Sequence, residues 1–293
     1  MDSLDGYECY DHLLYEPLAE RGWSAEAISW RDRSVDWNQF EAVIIRSPWD
    51  YQQQPEAFFE VLQEIDRSSA LLENKLELVE WNINKTYLRD LAEQGIEIVP
   101  SLWEDTFEKQ RWDSFFERLS TDEIIIKPTI SAGAEDTFRL EKTDRESYAA
   151  QLASVFSDRP FIVQPFMPNI VGEGEFSLFY FADTYSHTVL KTPKTNDFRV
   201  QEEHGGRLRK VDPEGPLLAT GKQILELIDP DPLYTRIDLV RTSDHTFALM
   251  ELELIEPSLY FNMDPESPAR FADVFVRWMQ QEGIGKEQKA GNN

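Results

Sequence analysis

The chain has 293 residues, more than a single hydrophobic core usually supports, so we expect two or three subdomains. Its 55 acidic residues outnumber its 29 basic ones, and a net charge of −26 excludes non-specific binding to nucleic acids or anionic membranes. The single cysteine, Cys9, excludes an internal disulfide framework, and no signal peptide or membrane span is recognisable, so we expect a cytoplasmic protein.

The first eighty residues predict a small α/β layer. Apolar residues recur at helical spacing over residues 10–21 and 55–65. Residues 25–30 and 42–46 are short apolar runs that predict buried parallel strands. The loop 47–51 follows the second run, and in open α/β sheets ligands bind at the carboxyl ends of the strands. This loop is therefore a candidate binding segment.

The middle and the end of the chain predict a mixture of helices and strands. The predicted helices cover residues 82–94, 216–227 and 268–280. The predicted strands cover residues 96–100, 123–128, 137–140 and 161–166, with a hairpin formed by 174–181 and 185–191.

Two lysines and one arginine are candidates for holding phosphate groups. Lys127 ends an apolar strand and precedes a loop of small residues, an arrangement that suits phosphate binding, and Lys85 opens a predicted helix. Arg199 stands before a glycine turn and is suited to bracing a phosphoryl group. Each of these residues, taken alone, is equally compatible with a solvated surface charge.

A predicted hairpin over residues 233–255 carries three candidate metal ligands. Glu251 and Glu253 alternate with apolar residues and therefore share one face of the second strand. A four-residue turn at 242–245 would place Asp238 opposite Leu249 and diagonal to Glu251, on that same face. Carboxylate oxygens favour Mg²⁺ or Mn²⁺. The alternative is a solvated acidic face.

Taken in chain order, these residues resemble those of the ATP-grasp superfamily, and the resemblance covers nearly the whole chain. The segments that carry the resemblance are Asp-Phe-Arg at 197–199, His-Gly-Gly at 204–206 and Met-Glu-Leu-Glu at 250–253. They are most similar to the branch that contains the ribosomal-protein S6 glutamate ligase and prokaryotic glutathione synthetase. This resemblance implies an α/β (α+β) fold of three subdomains, with ATP between a lid and a C-terminal sheet.

The resemblance also implies domain boundaries. An N-terminal α/β domain is expected over residues 1–82, a lid over 83–166, a C-terminal subdomain with the metal site over 167–281, and a flexible tail over 282–293. Only Met1 to Leu4 precede the acidic start of the first domain, where the family has a full apolar strand, so we expect either that this domain lacks its first strand or that the start codon is misassigned.

The family pattern assigns roles to individual residues. It implies Asp238, Glu251 and Glu253 as Mg²⁺ ligands, with Glu253 in place of the usual asparagine. The residues implied in nucleotide binding are Lys85, Lys127, Gln164, Pro165, Phe166, Glu175, Lys191, Arg199 and Gln201. Among them Gln164 to Phe166 match the hinge that reads adenine, Glu175 the acid that holds the ribose, and Lys127 and Arg199 the catalytic cations.

Three segments, 46–51, 186–191 and 251–259, resemble a narrower group that includes the cyclo-ligase of D-cycloserine biosynthesis. In the first segment, Arg46 is suited to a substrate carboxylate, Asp50 to an ammonium group, and Trp49 and Tyr51 to the pocket walls. The second segment adds His187 to the substrate candidates. Packing of these residues at a domain junction is the alternative.

The resemblance implies an ATP- and Mg²⁺-dependent ligase that acts through an acylphosphate on a small amino-acid-like substrate and releases ADP and phosphate. Small molecules are the expected partners, with no nucleic acid and no membrane, and a homodimer is left open. The alternatives are a non-catalytic nucleotide-binding or regulatory protein, and a kinase of the same fold.

Overall fold

The fold is described from a computed structural model of residues 1–131 and 133–284. The strands are β1 Ala42–Ile44, β2 Leu71–Glu73, β3 Leu102–Glu104, β4 Glu123–Pro128, β5 Phe138–Glu141, β6 Phe161–Pro165, β7 Glu175–Phe181, β8 Thr184–Thr192, β9 Arg207–Lys210, β10 Tyr234–Arg241 and β11 Phe247–Glu253. The α-helices are α1 Tyr15–Glu20, α2 Pro55–Asp66, α3 Leu76–Asn82, α4 Tyr87–Glu93, α5 Trp112–Leu119, α6 Arg145–Val155, α7 Asn169–Gly172, α8 Gly215–Leu225 and α9 Ser267–Gln281.

The strands form three separate sheets. β1 pairs with β2 in parallel; β3, β6, β4 and β5 form an antiparallel sheet in that order; and β11, β10, β7, β8 and β9 form another. Each sheet lies within one of the predicted ranges, whose exact boundaries stay a prediction. Most of the predicted flexible tail, residues 285–293, lies outside the described residues.

The N-terminal layer differs from its prediction in one strand. Residues 25–30 form no strand, and residues 25–27 are exposed, so the prediction of a buried strand there is wrong. The segment instead runs along the surface until Trp30 packs against Phe58 of α2. The predicted strand at 42–46 is confirmed in part as β1, which pairs with β2 from Ala42 opposite Leu71 onward.

In the sheet of β3 to β6, the side chains of β4 point alternately into the core and towards the cavity described below. Ile124 and Ile126 are fully buried and pack against α5 and α6 in the core of this layer. Because side chains alternate along a strand, Ile125 and Lys127 point to the opposite face. The predicted bounds of this strand, 123–128, are confirmed.

The larger sheet is covered on both faces. One face packs on α4 and α8 through residues such as Leu178 and Ile237, and the other packs on α1 and α9 through Phe179 and Tyr234. The second face also carries a polar end, since Ser177 follows the same alternation as Phe179. That polar end forms one wall of the cavity.

Two predicted elements between residues 82 and 100 are corrected. The helix predicted over 82–94 is interrupted, since α3 ends at Asn82 and α4 begins at Tyr87. The Asn82 side chain bonds to the backbone of Leu252 and Leu254, at 2.9 and 3.0 Å, and this contact ends α3. Lys85 consequently lies in the turn before α4. The strand predicted at 96–100 is reduced to one bridge, between Ile98 and Leu249.

The register of the β10–β11 hairpin also differs from its prediction. Leu239 lies opposite Leu249, but the next pair is Asp238 with Glu251, so Met250 is an extra residue in β11. Such a bulge shifts the pairing by one position. Asp238 is therefore directly opposite Glu251 rather than diagonal to it.

Within the part of the chain that the structure describes, each helix is too short or too polar to cross a bilayer.

Candidate active site

A cavity of about 650 Å³ lies where the three sheets meet. Pockets of this size are typical of sites for cofactors and small ligands. Its lining includes nine carboxylates, from Glu8, Glu135, Glu175, Glu202, Glu203, Asp238, Glu251, Glu253 and Glu256. It also includes five cations, from Lys85, Lys127, Lys191, Arg199 and Arg236. A cavity with this mixture can bind an anion through its basic groups and cations through its excess of acids.

The two predicted phosphate lysines both line this cavity. Lys127 projects from the cavity face of β4, and burial lowers the pKa of its ammonium group even though Glu251 lies nearby. Lys85 donates to the carbonyl of Ser131 at 2.8 Å and pairs with Glu251 at 2.9 Å. The structure thus brings the two lysines together on either side of Glu251.

The predicted adenine hinge forms the end of β6. Gln164 is buried, and its amide donates to the hydroxyl of Ser101 at 2.8 Å. Pro165 lines the cavity, and Phe166 lies edge-on to Phe198 with a centroid distance of 6.5 Å. An apolar slot with backbone groups at its edge suits a flat ring.

Asp238 is the most buried of the predicted metal ligands. It accepts hydrogen bonds from Ser177 and Arg236, and it lies 3.3 Å from the ammonium of Lys191. Burial opposes ionisation, but Arg236 and Lys191 outweigh it and lower the pKa of Asp238. Lys191 also pairs with Glu175, and these two carboxylates raise its pKa against the effect of burial.

Glu251 and Glu253 lie on the same wall and differ in protonation. Burial disfavours the charged form of Glu251, but Lys85 and Lys127 reverse this and lower its pKa to about 2. Glu253 pairs with Arg236, yet burial and its acidic neighbours raise its pKa to about 8. The Glu253 carboxyl is therefore mostly protonated at neutral pH. A cation bound beside it would favour its ionised form.

The three carboxylates are compatible with a magnesium ion that arrives together with phosphate groups. Among residues 1–131 and 133–284, no group of three or more His, Cys, Asp or Glu side chains forms a ready metal cage. Mg²⁺ usually keeps several waters and takes only one or two protein carboxylates in addition to phosphate oxygens. Asp238, Glu251 and Glu253 share one wall and supply such oxygens, so the donor set fits.

The loop before β9 supplies the other predicted cation. Arg199 is held by Asp197 through two hydrogen bonds, of 3.1 and 3.0 Å, and it lines the cavity. The hydrogen bonds from Arg199, together with the adjacent backbone donors, keep the pKa of Asp197 very low. Gln201 also lines the cavity, and its Oε1 atom is buried without a hydrogen-bond partner among the described residues.

The predicted substrate residues divide into two groups. Trp49 and Tyr51 line the cavity, whereas Arg46 and Asp50 are not among its described lining residues. Arg46 bonds Asp11 at 3.0 Å, and Asp50 accepts hydrogen bonds from Trp30 and Arg31, each at 2.8 Å. Asp11, Trp30 and Arg31 are also outside the described lining of the cavity. The function proposed below therefore does not include direct contact between a substrate and Arg46 or Asp50.

His187 lies on the cavity-bearing face of the large sheet but outside the described lining. It stacks on Phe179 with a centroid distance of 4.4 Å, and its ring nitrogens bond Ser186 and the carbonyl of Leu259. Burial lowers the pKa of His187 to about 4, so the ring is neutral at neutral pH. These contacts indicate that His187 has a packing role.

Arg236 and Glu256 are charged lining residues that sequence reasoning missed. Arg236 bridges Asp238 and Glu253, and its position two residues before Asp238 on the same strand was a usable signal. Glu256 follows β11, is 9 % exposed and lines the cavity, but no spacing rule points to a residue beyond a strand end.

Comparison with known proteins gives one match to the N-terminal part of the chain and others that cover about nine tenths of it. Residues 1–74 match the model of the N-terminal domain of D-cycloserine synthetase DcsG. The cycloserine biosynthesis protein DcsG of Streptomyces lavendulae is 29% identical over 279 residues, which cover 90% of this chain and 91% of that protein.

Solved structures show the same architecture. The crystal structure of D-cycloserine synthetase DcsG matches with a TM-score of 0.82 and 26% identity, over 92% of this chain and 94% of that one. The ATP-grasp ligase PsnB, complexed with a minimal precursor, Mg and ADP, matches with a TM-score of 0.62 and 15% identity, over 92% and 94% of the two chains. The chain is therefore similar in sequence and in fold to the D-cycloserine synthetase, and it shares its fold with an ATP-grasp ligase.

Proposed function

We propose that this protein is an ATP- and Mg²⁺-dependent ligase that joins a carboxylate to an amine or a related nucleophile, on a small amino-acid-like substrate. The observation that carries the proposal is the cavity in which Lys127 of one sheet faces Glu251 and Asp238 of another. The similarity to a synthetase and to a ligase complexed with Mg and ADP supports it.

The nucleotide would lie between the β3–β6 sheet and the large sheet. Gln164, Pro165 and Phe166 would hold the adenine at the end of β6, and Glu175 with Lys191 would lie beside the ribose and the phosphates. Lys85 and Lys127 would contact the phosphate chain, because both ammonium groups reach the cavity next to Glu251.

Asp238, Glu251 and Glu253 would hold Mg²⁺. When bound, the ion supplies positive charge that offsets the charge of the triphosphate. Glu251 is ionised at neutral pH, because its pKa is about 2, and so is ready to contribute an oxygen ligand. Mg²⁺ is the ion that we expect at this site, and the all-oxygen set of ligands can also bind Mn²⁺.

The chemistry requires positioning and charge stabilisation rather than a nucleophilic side chain. A substrate carboxylate attacks the γ-phosphorus of ATP, the bond to the bridging oxygen of ADP breaks, and an acylphosphate forms. An amine then attacks the acyl carbon, and phosphate leaves with its bonding electrons. Lys127 and Arg199 would stabilise the negative charge that develops on the transferring group.

We further propose that the substrate binds on the N-terminal side of the cavity, against Trp49 and Tyr51. The products would be the ligated molecule, ADP and phosphate. The single cysteine, Cys9, is in keeping with a reaction in the cytoplasm, and a homodimer remains a prediction.

An assay of ADP release against a panel of amino acids and dipeptides, with the product mass determined, tests the proposal. We expect ADP release that depends on the substrate, with a product whose mass equals that of the reactants less one water. A phosphorylated final product would indicate a kinase instead. Nucleotide binding without turnover on any member of the panel would indicate a non-catalytic protein.

A further inference from the structure

The cavity extends beyond the nucleotide region, towards the junction between the N-terminal layer and the end of β11. The side chains there are Tyr7, Trp49, Tyr51 and Glu256. Tyr7 packs on Trp49 with a ring-centroid distance of 5.5 Å, so two aromatic rings form one wall. Glu256 supplies the charged group in this part of the cavity.

The backbone around this pocket is fixed by hydrogen bonds between distant segments. The indole of Trp49 donates to the carbonyl of Glu256 at 2.9 Å, and Arg46 donates to the carbonyl of Pro257 at 2.9 Å. The loop after β1 and the segment after β11 are therefore tied together. A site held in this way is organised before a ligand arrives.

The Glu256 carboxyl has an unusual environment for a group that is 9 % exposed. It faces the hydroxyl of Tyr51, and burial together with this carboxyl raises the pKa of that hydroxyl; Glu256 forms no salt bridge among residues 1–131 and 133–284. The nearest cations, Lys85 and Arg236, are already bonded to Glu251 and to Asp238 with Glu253.

A buried carboxylate without a cationic partner is costly, and burial accordingly raises the pKa of Glu256 to about 7. A ligand that brings an ammonium group would remove this cost, because it supplies a positive charge and up to three hydrogen-bond donors. The Oε1 atom of Gln201, buried and without a donor in the same cavity, is a second acceptor that such a ligand can approach. The aromatic wall of Tyr7 and Trp49 also favours a cation.

We propose that Glu256 binds the ammonium group of the substrate, with Tyr51 positioning its carboxylate and with Tyr7 and Trp49 enclosing the ligand. This inference rests on the proposed function and makes it more specific. It selects amine-bearing substrates over the corresponding acids that lack the amine. It also adds a charged substrate contact from the segment after β11 to the aromatic contacts from the loop after β1.

The test uses the full-length protein saturated with a non-hydrolysable MgATP analogue. The probes are the D- and L-forms of the protein amino acids, each compared with the matching carboxylic acid that lacks the amine. Binding is measured by calorimetry and by thermal shift. We expect at least one amino acid to bind the wild type, and its amine-free counterpart to bind at least tenfold more weakly.

Two variants locate the effect. Glu256→Gln keeps the shape and removes the charge, and we expect it to weaken amino-acid binding roughly 10- to 100-fold, the scale of a charged hydrogen bond. Tyr51→Phe, which removes the donor to Glu256, should weaken it about 3- to 10-fold. The matched control is Glu93→Gln, the same chemical change at an exposed residue of α4 outside the described cavity lining, and it should change binding less than about twofold.

Equal binding of amines and amine-free acids would overturn the inference, as would wild-type affinity in Glu256→Gln or the absence of any amino acid that binds. MgATP-analogue binding is measured in each variant and should stay within about twofold of wild type. If the analogue fails to bind even the wild type, the proposed function itself is wrong. The two failures are therefore distinguishable.

Discussion

At the scale of single residues, the cavity is governed by a chain of alternating charges. Lys191 lies between Glu175 and Asp238, and Arg236 lies between Asp238 and Glu253. Each of these five buried charges therefore has a partner of opposite sign, which limits the cost of removing it from water. Lys127 differs, because burial lowers its pKa and its ammonium is oriented towards the cavity.

Lys127 and Arg199 should have separable roles. Lys127→Ala should weaken ATP binding roughly 10- to 100-fold, because a charged hydrogen bond to the bound phosphates is lost. Arg199→Ala should leave ATP affinity within a few-fold and lower kcat roughly 100-fold, since its charge is needed mainly in the transition state. Calorimetric ATP titration and steady-state kinetics check both. An equal loss of affinity in the two variants would contradict this division.

His187 should make the stability of the protein depend on pH. Burial lowers its pKa to about 4 from an ordinary value of 6.5, so the unfolded chain binds the proton more readily than the folded one. Its contribution to stability is present above pH 6.5 and is lost as the pH falls towards 4, by about 3 kcal/mol in total.

Melting temperatures of wild type and His187→Gln between pH 7 and pH 4 check this prediction. The variant should be less stable at pH 7, and its melting temperature should fall less as the pH is lowered. The matched control is His245→Asn, since His245 is exposed in the β10–β11 turn and Asn tolerates its positive φ of 64°. An identical pH dependence in wild type and His187→Gln would count against the assignment.

At the scale of elements, buried asparagines tie the first part of the chain to β11. Asn82 bonds the carbonyl of Leu252 and the amide of Leu254. Asn74 bonds the carbonyls of Tyr234 and Leu254 at 2.9 and 2.7 Å. These side chains satisfy backbone groups at the end of the hairpin and so hold the acidic wall of the cavity in place.

Asn82→Ala should lower the free energy of unfolding by about 2–4 kcal/mol, because it leaves buried backbone groups of β11 without partners. Urea denaturation measures the change. Asn38→Ala is the control, since Asn38 is exposed and its loss should cost less than 1 kcal/mol. A change below about 1 kcal/mol in Asn82→Ala would show that the tie is not needed.

Arg46, at the start of the loop 46–51, should act mainly through packing. Arg46 bonds Asp11 and the carbonyl of Pro257, and its guanidinium lies 5.0 Å from the ring centroid of Tyr234. Arg46→Ala should therefore lower the melting temperature by several degrees, the effect of about 2 kcal/mol, while the substrate KM changes less than threefold. A large rise in KM with an unchanged melting temperature would restore Arg46 as a substrate contact.

Elements with strong local patterns could be predicted from the sequence, and those set by tertiary contacts could not. The bounds of β4 follow from its apolar run and its closing proline. The break after Asn82 could not be predicted, because the side chain that ends α3 bonds to a strand 170 residues further along the chain. Residues 25–30 have a strand-like composition but no strand beside them with which to pair.

The same distinction applies to the site. Alternation placed Glu251 and Glu253 on one face, but the bulge at Met250, which puts Asp238 opposite Glu251, left no sequence signal. Arg46 and Asp50 suited a zwitterion by residue type. Their side chains are nevertheless occupied by Asp11 and Arg31, which lie in segments whose positions the sequence did not fix.

At the scale of the whole molecule, different layers of the fold contribute the groups that line one cavity. The β3–β6 sheet contributes Lys127, the large sheet contributes the carboxylates of β10 and β11, and the N-terminal layer contributes the aromatic residues Trp49 and Tyr51. Carboxylates alone would repel a triphosphate, so the arrangement suits a nucleotide only when a divalent cation accompanies it. This dependence is the central claim.

Calorimetric titration of ATP into the wild type and into the double variant Glu251→Gln with Glu253→Gln, each with Mg²⁺ and with a chelator, tests this claim most directly. We predict that the wild type binds ATP at least tenfold more tightly with Mg²⁺, and that the double variant loses this difference because the two carboxylates that would hold the ion are gone. Wild-type binding that is equally tight in the chelator, or a double variant that binds MgATP as the wild type does, would contradict it.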